Sequence, residues 1–136
     1  MRTVNMLLIG LFLSVLPSLG AAFGAEGSQT ARTVSGGGVT VKVTYLDLKT
    51  GNDLRFQVAL DTHSVNLDSY DLKTVTVLRD DTGKTYLPTG IESKGSGHHR
   101  EAMLIFPKVS GEAKWIQIVI KDVAGVKERT FDWDVQ

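Results

Sequence analysis

The chain has no cysteine. That excludes a disulfide framework, a thiolate metal site, a cysteine nucleophile and a lipid-modified N-terminal cysteine. It also lacks a dominant charge. Fifteen basic and fifteen acidic residues cancel, so the basic excess that a nucleic-acid surface needs is missing. Proline is scarce, three in 136 residues, and hydrophobic residues make up 42%, a balance that argues against disorder for most of the chain. No apolar run reaches the roughly 20 residues of a membrane-spanning helix. There is no G-x-S-x-G nucleophile elbow, no calcium-loop spacing of aspartates and no internal repeat. The length fits one domain.

The first residues carry an address. Arg2 gives a positive start, Met6 to Leu16 form a short apolar run, and Ala22-Phe23-Gly24 place small side chains where a signal peptidase reads. Residues 1–24 are expected to be a signal peptide, cleaved after Gly24 or Ala25, and the protein to be periplasmic or secreted. Removing Arg2 leaves fourteen basic against fifteen acidic residues, a formal charge of −1. Residues 25–38, ending in Gly36-Gly37-Gly38, have no apolar period and read as a flexible leader.

From Val39 onward the pattern has period two. Val39, Val41, Val43 and Tyr45 alternate with polar residues, and so do Leu54, Phe56, Val58 and Leu60. The segment 72–79 reads as a third strand, and Asp80-Asp81-Thr82-Gly83 as a tight turn. Residues 84–87 read as a short returning strand and 91–100 as a polar loop. Residues 101–106, 114–122 and 129–135 complete the set, with Phe131, Trp133 and Val135 on one face. No window has a helical period. The expected fold of residues 39–136 is all-β, an immunoglobulin-like antiparallel β-sandwich of about seven strands, with an up-and-down barrel as the alternative.

The three histidines are His63, His98 and His99. In an immunoglobulin-type sandwich the second strand, 54–61, pairs antiparallel with 101–106. The end of one then lies beside the start of the other, which brings all three histidines to one end. With Asp61 and Asp68 nearby they form an expected ligand set for Cu(II) or Zn(II). Adjacent strand residues point to opposite faces, so His98 and His99 share an ion only from loop geometry. A pH-sensing cluster and solvated loop histidines are the competing readings. Ser64 beside His63 is no nucleophile–base pair, and no catalytic activity is expected. Trp133 is expected in the core and Trp115 partly exposed.

The stretch Val58-Ala59-Leu60-Asp61-Thr62-His63-Ser64-Val65-Asn66-Leu67-Asp68 and the later Gly97-His98-His99-Arg100 resemble a group of small secreted bacterial proteins. That resemblance implies an exported β-sandwich without an established activity. Address, size and histidine-containing edge are similar to CopC-type periplasmic copper-binding domains, from which the chain departs in having no histidine at its mature N-terminus and no methionine-rich loop. The expected function is an exported, non-catalytic binding module, monomeric, with a transition metal as ligand. The alternative is a structural or protein-interaction domain whose histidines are incidental.

Overall fold

A computed structural model describes residues 29–47 and 51–136. The expected signal peptide lies outside the described residues, as does the first part of the expected leader. Among the described residues, two antiparallel sheets form a sandwich of nine strands rather than seven. The first sheet is ordered β1 (Gln29–Gly36), β2 (Val39–Leu46), β3 (Asp53–Thr62), β7 (His99–Pro107), β6 (Gly90–Ser96). The second is ordered β5 (Thr85–Tyr86), β4 (Thr76–Asp80), β8 (Trp115–Val123), β9 (Val126–Asp134). Among the described residues no helix is long and apolar enough to cross a membrane.

The alternation seen in the sequence becomes the core. Val41 and Val43 face the interior opposite Leu60 and Val58, and Phe56 lies across from Leu104. The other sheet answers with Leu78, Ile116, Ile118, Ile120, Phe131 and Trp133. Full burial of each such side chain contributes about 1.5–3 kcal/mol. Phe56 is the hub of an aromatic cluster, 5.1 Å from Tyr45, 5.8 Å from Phe106 and 5.4 Å from Trp133 between ring centres. This cluster sits toward the start of β3, away from Asp61 and the histidines near its end. Trp115 is 40% exposed.

Three expectations need correction. The leader is not flexible over its described part. Residues 29–36 form β1, paired with β2 along its whole length. The glycines that suggested a tether make a tight turn, with Gly37 at φ 61° and Gly38 at φ 77°, the pair of positive φ values that a two-residue hairpin favours. This turn is packed against the β8–β9 turn so closely that a Cβ on Gly37 would lie 2.2 Å from the Ala124 carbonyl oxygen. The polar segment 91–100 is likewise no loop, because most of it is β6, hydrogen-bonded to β7. The third strand starts later than expected, because Leu72–Val75 forms a single helical turn, α1, capped by the Asp71 side chain accepting from Lys73 N.

Two side chains of β9 hold β1 in place. Trp133 Nε1 donates to the Thr30 carbonyl at 2.9 Å. Arg129, only 1% exposed, donates to the carbonyls of Gly36 at 2.6 Å and Val123 at 2.8 Å. Burial pushes its guanidinium pKa down. The two carbonyls each accept from one terminal nitrogen and offset part of that burial cost, while Nε is buried without a hydrogen-bond partner among the described residues.

Asp80 shows the same logic with opposite charge. It is 3% exposed and accepts from Thr82 N and Oγ1, Lys84 N and Tyr86 OH at 2.6–3.2 Å. Burial alone would raise its pKa. Hydrogen bonds from Thr82, Tyr86 and Lys84 outweigh that and hold the carboxyl below its ordinary value.

Candidate functional site

The expected pairing of the second strand with the strand after the long excursion holds as β3 with β7. Asp61 lies directly opposite His99 in that ladder. His63 follows the end of β3, Gly97-His98 is the two-residue turn from β6 to β7, and His99 opens β7. The three histidines, with Asp61, Thr62, Thr40 and Gly38, line one open hollow of about 310 Å³.

The loop that presents His63 is shaped by its neighbour in sequence. The Thr62 hydroxyl donates to the Gly38 carbonyl at 2.7 Å and accepts from Ser64 N and Val65 N at 3.2 and 3.1 Å. Thr62 is itself buried, so its hydroxyl must be satisfied, and bending the chain at His63 satisfies it.

Segment 62–70 then docks on the Gly97-His98 turn. Thr62 N donates to the His98 carbonyl at 3.0 Å and Leu67 N to the Gly97 carbonyl at 2.9 Å. Gly97 N donates to Asp68 Oδ1 at 2.8 Å, and Arg100 Nη1 donates to the Leu67 carbonyl at 2.8 Å. The two sequence motifs singled out above are thus halves of one hydrogen-bonded unit. Asp68 serves it as a clamp on the turn and does not line the hollow.

His99 is engaged on both ring nitrogens. Nδ1–H donates to Asp61 Oδ1, and Nε2–H donates to Glu101 Oε1 at 3.2 Å. Asp61 and then Glu101 hold the imidazolium above its ordinary pKa of 6.5. Lys94 of β6 reaches Glu101 at 2.9 Å, and Lys94 and then His99 hold the Glu101 carboxyl below its usual range. The result is a line of alternating charges across β3, β7 and β6, on the outer face of the sheet. Sequence reasoning missed Glu101. Its signal was there, because a residue two positions along a strand from His99 shares its face.

The side chains of His63 and His98 are exposed, with no hydrogen-bond partner among the described residues. Also among the described residues, no three histidine, aspartate or glutamate side chains stand together closely enough to hold one ion. The hollow therefore brings together His63, His98, His99 and Asp61 from the expected ligand set and leaves Asp68 out. No family model, curated protein or solved structure matches the chain.

Proposed function

We propose that the protein is an exported, non-catalytic binding module whose site is the histidine edge and whose ligand is Cu(II) or Zn(II). One observation carries this reading: every histidine of the chain, across 36 positions of sequence, faces a single hollow that also contains Asp61. Imidazole nitrogen and carboxylate oxygen are the donors these ions take when thiolates are absent.

His99 is the poorest donor of the three, because both its nitrogens are occupied by carboxylates. The free imidazoles of His63 and His98 are the better ones. Both are exposed and line the same hollow. As they stand they do not form a ligand group, so binding requires their side chains to rotate toward a common ion, with Asp61 as the oxygen ligand and water completing the set. His99 then acts as the support that orients Asp61. The bonded frame of Thr62, Leu67 and Gly97 keeps the two presenting loops together and lowers the ordering cost of binding.

Calorimetric titration of the purified protein with Cu(II) and with Zn(II) tests this. Saturable binding near one equivalent is expected, weakened at least about tenfold in His63→Ala and in His98→Ala, as loss of one donor from a small set requires. Absence of heat above dilution, or unchanged affinity in both variants, overturns the reading.

A further inference from the structure

We infer that β6 is a self-association edge, through which a second copy of this chain adds to the five-stranded sheet in antiparallel register centred on Ser93. The sandwich has few places where another strand can join. The long edges on the other side, β1 and β9, are cross-linked to each other by the Trp133 and Arg129 bonds, and β5 has only two residues. β6 is different: it runs over seven residues, pairs with β7 alone among the described residues, and is exposed from Glu92 to Ser96.

Its hydrogen-bonding phase suits a two-fold axis. Gly97 and His98 form a two-residue turn, so Ser96 and His99 make the first hydrogen-bonded pair of that hairpin. Alternation along the ladder then turns the Ile91 and Ser93 N–H and C=O groups away from β7. A two-fold axis at Ser93 sets Ser93 against the partner's Ser93, with both backbone bonds available.

The charges fit the same register. Glu92 and Lys94 flank Ser93 and share the outer face. An axis at Ser93 places Glu92 against the partner's Lys94 and Lys94 against the partner's Glu92. Glu92 has no ion-pair partner among the described residues, while Lys94 already meets Glu101 and would bridge two carboxylates. Charged edges ordinarily deter pairing. Here opposite signs sit on either side of the axis, so one register is attractive and a shift by two residues sets like charges together. Ile91 meets the partner's Gly95, where no side chain competes for the space. Leu87, 67% exposed, lies in the connector that leads into this strand. The product is a continuous ten-stranded sheet, five strands from each copy, with the isologous geometry typical of homodimers.

Sedimentation equilibrium of the purified protein in a metal chelator tests the pairing independently of any ion at the histidines. A concentration-dependent dimer is expected. Glu92→Lys and Lys94→Glu each create like-charge crossings and weaken association about tenfold, since two symmetric cross-strand pairs change sign. Mixing the two variants puts opposite charges at both crossings, so a heterodimer forms where neither variant self-associates. Far-UV circular dichroism checks that both variants stay folded, as exposed positions allow. The inference is overturned if the wild type is monomeric up to about 1 mM, if both single variants associate as tightly as wild type, or if the mixture stays monomeric.

Discussion

Replacing Gly37 with alanine separates two causes of instability that usually come together. The first is backbone strain: an L-residue at φ 61° costs about 1–2 kcal/mol. The second is steric. The new Cβ would sit 2.2 Å from the Ala124 carbonyl oxygen, which is backbone and cannot swing aside. Either the β1–β2 turn or the β8–β9 turn must move, at a cost of about 1–3 kcal/mol. The sum is about 3 kcal/mol, a large share of the 5–15 kcal/mol typical of a domain. It would lower Tm by about 10–20 °C for a chain of this size. Gly83→Ala is the internal control. Gly83 has φ 89°, and an added methyl there would find nothing within 4 Å, so it reports strain alone, about 1 kcal/mol. Gly38→Ala falls between, because its methyl would meet the movable Ser64 hydroxyl at 3.3 Å. Urea unfolding of the three variants, read at constant m-value, gives the comparison. Equal losses in Gly37→Ala and Gly83→Ala would refute the packed-turn argument and restore the glycine run as a tether.

Two further predictions concern charge. Asp80→Asn keeps one oxygen to accept from Thr82 and Lys84 but sets a donor amide against the Tyr86 hydroxyl that donates to Oδ2, and should cost about 2–3 kcal/mol in chemical denaturation. Because the folded pKa of Asp80 lies below its ordinary 3.8, its contribution is present above that value and fades as pH falls through the folded one. The variant should therefore show a flatter stability profile in acid than wild type, and an unchanged profile would contradict this. His99 has the opposite sign. Its raised pKa makes its contribution complete below pH 6.5 and lost as pH rises through the folded value. An NMR titration of the ring should give a midpoint above 6.5 that falls in Asp61→Asn, and a midpoint indifferent to that substitution would remove Asp61 as the cause.

Central strands were legible in the sequence because they bury one face. Val39 to Val43 and Phe56 to Leu60 alternate as their burial does, and Ile116, Ile118 and Ile120 share the core face of β8 although Val119 between them is buried too. The pairing of β3 with β7, and with it the meeting of His63 with His98 and His99, followed from the sandwich topology. The outer strands did not show. In β1 polar residues dominate and Val34 is the one branched aliphatic side chain packed on the core. In β6 that part falls to Ile91. Such strands are held by backbone hydrogen bonds, which have no side-chain period to read. At the site, adjacency in sequence misled for His98 and His99. One closes a turn and the other begins a strand, so the second is drawn into a carboxylate pair that the first never meets. Asp68 does lie near the histidines, but its carboxylate is taken up by the Gly97 N–H.

The bonds from β9 to β1 also set a timetable for the molecule. Trp133 reaches Thr30 across 103 positions and Arg129 reaches Gly36 across 93. Closing loops of that length is slow compared with forming a neighbouring hairpin. As the chain is made, β1 and β2 emerge before the other described strands and can pair at once, yet their clamp is the last of the described strands to emerge. Until β9 arrives, β1 is a frayed strand with little buried surface, able to leave and expose the flank of β2. The vulnerable interval is therefore fixed by the time needed to deliver residues 126–134, and whatever shields the nascent chain must do so until β9 is in place.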